Sequence, residues 1–259
     1  MRELDVSVEA AREAGAVIRS LYGTGIAVVE KGDRRDSPLT AADTRANEIL
    51  AERIGAAFPA DGWLSEESVD TAERFGKRRV WIVDPLDGTK EFVRQIPELA
   101  VAIGLVEDGV PIVGVTYNPI RDEMYAAARG VGATRNGRPV RVSDTRELRL
   151  ARILASRSET KRGEWDRFRG AFEIDLCGSV AYKLARVGAG IGDATFTLTP
   201  KNEWDICASA CVIECAGGRV TDLAGQPLKY NQTTPVFAGV VATNGVLHAQ
   251  LLALLRQSD

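Results

Sequence analysis

Residues 81–92 read WIVDPLDGTKEF, and this stretch decides both the fold and the chemistry predicted for the chain. An apolar run of strand character ends there in two aspartates, Asp84 and Asp87. Pro85 fixes its own φ and favours an extended conformation at the preceding residue, which places both carboxylates where the strand turns. Gly88 permits a close backbone approach, and a helix beginning behind it would offer amides to an anion. The pattern indicates a divalent metal beside a phosphoryl group; the alternative is an acidic turn that only ends a strand.

The composition of the 259 residues is that of an ordinary globular protein, with 45% hydrophobic and 27% charged residues. The net charge of −3, without a basic block, argues against a nucleic acid polymer as partner. The first residues begin an amphipathic pattern instead of a signal peptide, and no apolar run approaches the roughly 18 residues that a membrane span needs. We therefore predict a cytoplasmic protein that does not bind membranes.

Four cysteines and a single histidine limit the chemistry that is available. Cys207, Cys211 and Cys215 recur every four residues on a predicted helix, and the outer two are separated by roughly 12 Å of helix rise, too far to share one ion. We interpret them, with Cys177, as small buried residues. His248 lies beside leucines and is predicted to be structural. With one histidine, a two-histidine zinc motif is excluded and a Ser-His-Asp triad would depend on that residue alone, so carboxylates, hydroxyls and lysines must carry the chemistry.

Hydrophobic periodicity predicts an antiparallel-rich first half and an α/β second half, which favours an α+β or mixed α/β fold. Predicted helices cover residues 3–22, 40–58, 161–170, 179–190, 205–216 and 246–256. Predicted strands cover residues 26–30, 80–83, 99–107, 110–117, 123–128, 132–135, 152–156, 173–177, 194–198, 218–221 and 236–243. Predicted turns are Lys31–Pro38, Asp108-Gly109 and Asn136-Gly137. The polar stretch near residues 140–150 predicts a boundary between segments 1–145 and 146–259.

Further acidic side chains stand near the ends of other predicted elements, at Asp43, at Glu66-Glu67 and at Asp205. Each alone is typical of a solvated or capping residue, and Asp205 could simply cap the helix that follows it. Mg²⁺ prefers oxygen ligands, and several clustered carboxylates would repel one another without a cation. Together with Asp84 and Asp87, these residues predict a shared metal site.

Five segments occur in an order that resembles the inositol monophosphatase family, the lithium-sensitive, magnesium-dependent phosphatases. They are Lys31, PLTAAD at 38–43, SEES at 65–68, DPLDGT at 84–89 and WDICA at 204–208. The resemblance covers nearly the whole chain, and the DPxDGT and WDxxA motifs are together highly specific. It implies a layered αβαβα sandwich in which segment 1–145 carries most metal ligands and segment 146–259 supplies Asp205 and substrate contacts.

Within that family, Leu86, the Lys90-Glu91-Phe92 run and the loop 155–158 resemble the CysQ branch of 3′(2′),5′-bisphosphate nucleotidases. That branch converts adenosine 3′,5′-bisphosphate to AMP and phosphate. The inositol-phosphate branch more often has Thr and Asn at positions 90 and 91. Glu159 departs from the CysQ pattern, in which a histidine often follows the Ser-Arg-Ser loop. An inositol 1-monophosphatase, or a phosphatase of another small sugar or alcohol phosphate, is the alternative. A non-catalytic regulatory binder is disfavoured because every type of metal ligand is retained.

The resemblance also assigns metal ligands, and it implies inhibition by Li⁺. Glu66, Asp84 and the Leu86 carbonyl would bind one Mg²⁺, and Asp84, Asp87 and Asp205 would bind a second. A third, weaker ion would lie near Glu66 through water.

The remaining roles in the predicted reaction are phosphate binding and the activation of water. The Gly88 and Thr89 amides would hold the phosphate, with Asp87 and Asp205 also near the substrate. A metal-activated water oriented by the Thr89 hydroxyl and Glu66 would attack, with Asp43 as the base partner of Thr89.

Candidate contacts to the rest of the substrate lie in the second half. They are Arg157, Lys161, Gly178-Ser179, Lys183 and Lys201. Arginine suits bidentate contact with a second phosphate, although each basic residue could equally lie on the surface. Ser179 could offer its hydroxyl to a ligand or only cap a helix. A homodimer is possible by resemblance, but no stripe of residues marks an interface.

Overall fold

The computed structural model describes residues 1–25, 29–30 and 38–257 of the chain. Residues 31–37 of the predicted turn, which include Lys31, lie outside the described residues. Residues 26–28 of the first predicted strand also lie outside them.

Two helices form the first layer of the molecule. They are α1 (Arg2–Leu21) and α2 (Ala41–Ala57), and the strands β1 (Val29–Glu30) and β2 (Pro38–Leu39) pair between them. The helix α2 begins with a capping box, in which the Thr40 side chain accepts from the Ala42 amide and the Asp43 carboxylate accepts from the Thr40 amide. The predicted helices 3–22 and 40–58 are confirmed.

A seven-stranded sheet forms the second layer. Its strands are β3 (Gly62–Ser65), β4 (Arg79–Asp87), β5 (Ala100–Glu107), β6 (Val110–Asn118), β7 (Glu123–Ala128), β8 (Gly132–Arg135) and β9 (Arg138–Val140), and a short helix α3 (Thr89–Val93) follows β4. The strands lie in chain order; β3 and β4 run parallel and all other neighbours antiparallel. The predicted hairpin at Asp108-Gly109 and the turn at Asn136-Gly137 are confirmed.

The strand β4 extends beyond the predicted end at Asp84. Its ladder with β5 is interrupted by a bulge after Asp84 and resumes where Asp87 pairs with Ala100. Gly88 then adopts a φ of +100° and starts α3. The helix predicted behind Gly88 is therefore present, whereas the turn predicted at Asp84 is a bulge within the strand.

The second half supplies the remaining helices and strands. In chain order they are β10 (Arg152–Ser156), α4 (Arg157–Lys161), β11 (Glu173–Cys177), α5 (Val180–Gly188), β12 (Ala194–Thr197), β13 (Lys201–Asn202), α6 (Glu203–Cys215), β14 (Arg219–Thr221), β15 (Val236–Phe237), β16 (Val240–Thr243) and α7 (His248–Gln257). Five strands form a mixed sheet in the order β11-β10-β12-β16-β14, while β13 and β15 form a separate pair.

Three hydrophobic clusters show how the layers stack. In the first cluster, Ala14 of α1 and Ala46 of α2 pack against residues of the seven-stranded sheet. In the second cluster, α5 and α6 lie between the two sheets, and Ile82 of β4 and Ile206 of α6 share one core. In the third cluster, residues of the five-stranded sheet pack against α7, which contributes Leu251. The mixed α+β fold and the predicted αβαβα layering are confirmed.

The helix α6 lies unusually close to the seven-stranded sheet. A Cβ atom added at Gly104 of β5 would collide with the Cys207 sulfur, and one at Gly114 of β6 would collide with the Ala208 carbonyl oxygen. The glycines therefore set the spacing between the two layers.

The cysteines of α6 are part of this packing. Cys177, Cys207 and Cys211 are buried and Cys215 is half-buried, with free thiols on all four. The burial of Cys177, Cys207 and Cys211 confirms their interpretation as small packing residues.

Two predicted elements are wrong. The predicted helix 161–170 is instead the short α4 followed by a 3₁₀ turn at Asp166–Phe168, because Gly163 adopts a φ of +80° and ends the helix. The predicted strand 236–243 is two strands, β15 and β16, that pair in different sheets. Between them, Gly239 packs so tightly on the Thr197 carbonyl and Leu223 that a side chain would not fit.

The start of α6 also differs from prediction. Asn202, not Asp205, is the N-cap of the helix. Asp205 is the third helical residue, and its carboxylate accepts a hydrogen bond from the Asn202 amide at 2.9 Å. The two sheets come from consecutive parts of the chain, but the division into segments 1–145 and 146–259 stays a prediction. Among the helices of the described ranges, none has the length and apolar character of a membrane span.

Candidate active site

Three carboxylates from three elements meet at one point. Oxygen atoms of Glu66, Asp84 and Asp205 all lie within 4.8 Å of one another. Ser65 pairs with Val83 in the parallel β3–β4 ladder. The next residues, Glu66 and Asp84, therefore lie side by side at the same end of the two strands. The first turn of α6 brings Asp205 to them from the neighbouring layer.

The electrostatics of this cluster fit a hard divalent cation. Burial, and next the negative charge of Glu66, raise the pKa of Asp84 well above its ordinary value. Burial, and next the charge of Asp87, raise the pKa of Asp205 in the same way. Because clustered anions are costly without a counter-charge and oxygen donors suit Mg²⁺, the arrangement of these residues can hold a divalent cation.

Asp87 lies beside the cluster and is held by the start of α5. Its Oδ2 accepts hydrogen bonds from the Ser179 hydroxyl at 2.5 Å and from the Ala181 amide at 2.6 Å. Ser179 caps α5 and has a φ of +55°, a strained value for a residue other than glycine. The pKa of Asp87 is raised, chiefly by burial. Ser179 therefore caps its helix and also fixes one carboxylate oxygen of Asp87.

A hydroxyl–carboxylate pair adjoins the carboxylate cluster. The Thr89 Oγ1 donates to Asp43 Oδ1 at 2.9 Å and lies 3.2 Å from the Leu86 carbonyl oxygen. Asp43 Oδ2 accepts from both the amide and the hydroxyl of Thr40, at 2.8 and 2.6 Å. Burial raises the pKa of Asp43, which is 2% exposed. The predicted contact between Asp43 and Thr89 is present in the structure.

A cavity of about 520 Å³ opens over these groups, a volume suited to a small organic ligand. The predicted site residues that line it are Glu66, Asp84, Leu86, Asp87, Gly88, Thr89, Gly178, Ser179, Lys183, Lys201 and Asp205. Lining residues that were not predicted as contacts include Ser156, Ser158 and Asn202.

Two predicted substrate contacts lie elsewhere. The Arg157 guanidinium makes a bidentate ion pair with Glu98, at 2.9 and 2.8 Å, and also donates to the Leu176 carbonyl. Lys161 is exposed at the end of α4. Neither residue lines the cavity in the described part of the chain.

Two buried glutamates near the cavity were not predicted as functional residues. Glu98 holds Arg157 and also accepts the Gly178 amide at 2.7 Å, which fixes the loop before α5. Glu159 is 2% exposed and lies 3.1 Å from the Lys201 ammonium. The departure from the CysQ pattern at position 159 was the one signal in the sequence that marked either of them.

His248 has a structural role, as predicted. Its Nε2 lies 3.0 Å from the Thr221 hydroxyl and its Nδ1 lies 3.0 Å from the Thr243 hydroxyl. Burial lowers the pKa of His248 to about 4. The residue joins α7 to β14 and β16 and takes no part in the cavity.

Comparison with known proteins gives similarity over the whole chain. The sequence model of the inositol monophosphatase family matches residues 2–259. Inositol monophosphatase 3 of Solanum lycopersicum is 35% identical, with 86% of each chain covered. The 3′(2′),5′-bisphosphate nucleotidase CysQ of Aggregatibacter actinomycetemcomitans is 32% identical, with 87% of this chain and 86% of the relative covered.

A solved structure agrees with these sequence relatives. The inositol monophosphatase of Anabaena (Nostoc) sp. PCC 7120 superposes with a TM-score of 0.84 at 34% identity, over 99% of this chain and 96% of that one.

Proposed function

Since this chain belongs to the inositol monophosphatase family and is a phosphatase, we propose that it hydrolyses adenosine 3′,5′-bisphosphate to AMP and inorganic phosphate with two or three Mg²⁺ ions. The observation that carries the proposal is the convergence of Glu66, Asp84 and Asp205 within 4.8 Å, at the floor of a cavity that also holds Thr89. The predicted cytoplasmic location and the homodimer stay predictions.

The proposed ligand set is the one that the family resemblance implies, and the cluster of Glu66, Asp84 and Asp205 supports it. Glu66, Asp84 and the Leu86 carbonyl would hold one ion, and Asp84, Asp87 and Asp205 would hold a second, while a third and weaker ion would lie near Glu66. Bound Mg²⁺ lowers the pKa of water and neutralises charge on a phosphate and its leaving oxygen. The Leu86 amide donates to Asp84 Oδ1 at 3.0 Å, which orients that carboxylate toward its partners.

Thr89 and Asp43 supply the proton relay in this proposal. Because the Thr89 proton points to Asp43 Oδ1, the lone pairs of the Thr89 oxygen can accept a proton from the attacking water. Asp43 stays in place through its two hydrogen bonds from Thr40, and burial raises its pKa, which makes it a stronger proton acceptor. Phosphate is then released without a covalent phosphoenzyme.

The choice of a nucleotide bisphosphate depends on the other wall of the cavity. Lys183 and Lys201 line it, and cationic groups there favour a substrate that carries more charge than one phosphate. Inositol 1-phosphate is the second candidate, because relatives named as inositol monophosphatases match this chain as closely as those named CysQ.

The kcat/KM values for adenosine 3′,5′-bisphosphate and inositol 1-phosphate, measured with Mg²⁺, test the choice between them. We expect a preference of about tenfold or more for the nucleotide, the effect of one additional charged contact. A preference for the inositol ester would contradict the nucleotidase assignment and leave the phosphatase activity standing. Failure to release phosphate from any small ester would favour the regulatory binder instead.

Inhibition by Li⁺ is a further expected property. A small monovalent cation that replaces one divalent ion in a carboxylate site supplies less charge to the phosphate and its leaving group. We expect phosphate release in saturating Mg²⁺ to fall when LiCl is added, with KCl at the same ionic strength as the control. Equal rates in the two salts up to high concentration would contradict the expected inhibition.

A further inference from the structure

We propose that Arg74 and Glu203 are positioning residues that fix the separation of two carboxylates of the metal site proposed above. These carboxylates are Glu66 and Asp205. The inference rests on that proposed site, and it gives a role to two buried charges that do not line the cavity in the described part of the chain. The hydrogen-bonded group that contains them, called here the Arg74–Glu203 network, consists of Asp70, Arg74, Asn231, Gln232 and Glu203.

Arg74 is a buried cation that joins two distant segments. Its side chain is 0% exposed and belongs to the 3₁₀ turn Ala72–Gly76. Nε and Nη2 donate to the two oxygens of Asp70 at 2.7 and 2.9 Å, and such bidentate pairs fix direction as well as charge. Nη1 donates to Asn231 Oδ1 at 2.6 Å, and Nη2 also donates to the Gln232 carbonyl oxygen at 2.9 Å. The guanidinium therefore attaches its own segment to a loop 157 residues later in the chain.

Glu203 holds the same loop from the side of α6. It is the first residue of that helix and is 0% exposed. Its Oε2 accepts a hydrogen bond from the Asn231 amide at 2.7 Å, and its Oε1 accepts one from the Gln232 amide at 2.9 Å. The Glu203 amide donates in turn to the Pro235 carbonyl oxygen at 2.9 Å. A buried carboxylate needs such donors, so the loop and the start of α6 hold each other in place.

Asn231 contacts both charged residues of the network. Its φ of +63° lies in the left-handed region, which asparagine tolerates better than most residues. Its side chain accepts from Arg74 and also donates to the Arg74 carbonyl oxygen at 3.3 Å, while its backbone amide donates to Glu203. The residue therefore connects a cation on one side of the loop to an anion on the other.

The two ends of the network lie close in sequence to two of the clustered carboxylates. Asp70 follows Glu66 by four residues. Asp205 follows Glu203 by two residues, in the first turn of α6. Mg²⁺ holds oxygen ligands at about 2.0–2.1 Å in nearly ideal octahedral geometry, so a small shift between the sheet and α6 would weaken its binding. A satisfied network of buried hydrogen bonds opposes such a shift.

Calorimetric titration with Mg²⁺ tests the inference without turnover. We expect Arg74→Met and Glu203→Gln each to raise the Kd for Mg²⁺ by about tenfold or more, as is usual when a residue that supports a metal ligand is lost. The substitutions remove charges of opposite sign. Electrostatic attraction alone would therefore tighten Mg²⁺ binding in Arg74→Met and weaken it in Glu203→Gln. Weaker binding in both variants identifies positioning, and tighter binding in Arg74→Met would overturn it.

The double variant Arg74→Met/Glu203→Gln shows whether the two residues act as a unit. We expect its Kd for Mg²⁺ to equal that of the weaker-binding single variant, because either substitution already releases the loop between them. Losses that multiply in the double variant would mean that the two residues act independently, and would overturn the network.

Two control variants separate positioning from charge and from stability. Arg78→Met removes a cation from an exposed arginine that pairs with Asp108 at 3.2 Å, and should leave the Kd unchanged. Leu251→Ala leaves a cavity between α7 and the five-stranded sheet, so it should lower stability but keep the wild-type Kd below its melting temperature. Equal weakening of Mg²⁺ binding in Leu251→Ala and the network variants would reduce the effect to stability and overturn the inference.

Asn231→Gly decides the question if a variant that lacks a buried charge does not fold. Glycine keeps the positive φ and the amide that bonds Glu203, but it removes the side-chain link to Arg74. We expect a smaller rise in Kd, at least about threefold, because the Gln232 link to Arg74 remains. An unchanged Kd in folded Asn231→Gly would then overturn the inference.

The same titration distinguishes failure of the network from failure of the proposed function. A wild type that binds no Mg²⁺ would overturn the metal site and the network together. A wild type that binds Mg²⁺ and releases phosphate, with network variants of the same Kd, would overturn the network alone.

Discussion

Asp87 shows how much one residue contributes to this site, because it touches the cavity and the start of α5 at once. We expect Asp87→Asn to lower Mg²⁺-dependent phosphate release by at least about a hundredfold, more than the loss usual for a residue that only supports a metal ligand. The amide oxygen can still accept from Ser179 and the Ala181 amide, so circular dichroism and the melting temperature should show a folded protein.

The matched control for this variant is Asp144→Asn, which removes an exposed carboxylate outside the cavity and should leave the rate unchanged. Full activity in a folded Asp87→Asn protein would refute the proposed role of Asp87 as a metal ligand.

Residue types in the sequence revealed part of the site. Asp84 and Asp87 could be predicted from the local pattern alone, since a strand end with two carboxylates and a glycine suggests a cation and an anion. The pairing of Asp205 with them needed the family resemblance, because it depends on how α6 packs on the sheet. The roles of Glu98 and Glu159 could not be predicted, since the partners of Glu98 are 59 to 80 residues away and those of Glu159, apart from Trp165, are 38 to 42 residues away.

At the scale of elements, Gly88 determines where α3 begins. Its φ of +100° suits glycine, and a Cβ there would lie 3.1 Å from the Glu98 carbonyl oxygen and 3.2 Å from the Leu99 Cα. We expect Gly88→Ala to lower stability by more than the roughly 1–2 kcal/mol of a strained φ, and to reduce phosphate release strongly because the Thr89 hydroxyl moves with the backbone.

Gly130→Ala is the matched control for Gly88→Ala. Gly130 has a φ of +79° but nothing within 4 Å of an added Cβ, so the substitution should cost only the backbone strain and keep full activity. Denaturant unfolding and phosphate release of both variants provide the comparison. Similar activity in the two alanine variants would show that the tight contact at Gly88 is unimportant.

The attachment of α7 to the five-stranded sheet should be sensitive to acid through His248. Its pKa is about 4 in the folded protein and about 6.5 in an unfolded chain, so the unfolded chain binds the proton more readily. The stability that the neutral ring contributes is therefore present above about pH 6.5 and lost as the pH falls toward 4.

Urea unfolding of wild type and His248→Gln at about pH 7.5 and about pH 5 measures this effect. Glutamine can bond to Thr221 and Thr243 but does not titrate, so we expect the variant to lose less stability on acidification. All other titrating groups are shared by the two proteins and cancel in the comparison. Parallel loss in both would contradict the role of His248.

The elements that were predicted correctly have strong periodicity or clear turn residues, as in α1, α2 and the β5–β6 hairpin. The errors arose where tertiary structure overrides local pattern. The apolar run 236–243 continues through Gly239, and only its packing against Thr197 and Leu223 shows why the strand is interrupted. Gly163 could have ended the predicted helix 161–170, but glycine inside a helical pattern is not decisive.

Over the whole molecule, the buried carboxylates couple stability to pH and to metal. Their pKa values are raised, so the folded metal-free protein binds protons more readily than the unfolded chain. The stability from these groups is present below their ordinary pKa of 3.8 and lost as the pH rises through the raised values. A divalent cation bound at the proposed site would remove this penalty, because it would compensate the charges of Asp84 and Asp205.

Thermal unfolding with EDTA or Mg²⁺ tests this coupling. We expect Mg²⁺ to raise the melting temperature more at about pH 8 than at about pH 5. Asp84→Asn should raise the melting temperature in EDTA, since it removes a buried charge, and should abolish most of the Mg²⁺ effect. Asp144→Asn should behave as the wild type, and a Mg²⁺ effect independent of pH would contradict the coupling.

The layered architecture could not be derived from periodicity alone. The sequence predicted an antiparallel-rich first half and an α/β second half. Local patterns do not show that α5 and α6 pack against both sheets. Ile206, Cys207 and Ala210 are all buried in one core with residues of both sheets. A helix that is apolar on every side indicates burial, without identifying its neighbours.

Gly104 and Gly114 have a consequence for the way such proteins diversify. A side chain at either glycine would push α6 away, and with it Asp205, so these positions can change only together with Cys207 or Ala208. Lysines on the opposite wall of the cavity are under no such mutual constraint. We therefore expect new substrate preferences to evolve by single substitutions along that wall, while the interior that spaces the carboxylates is inherited as a unit.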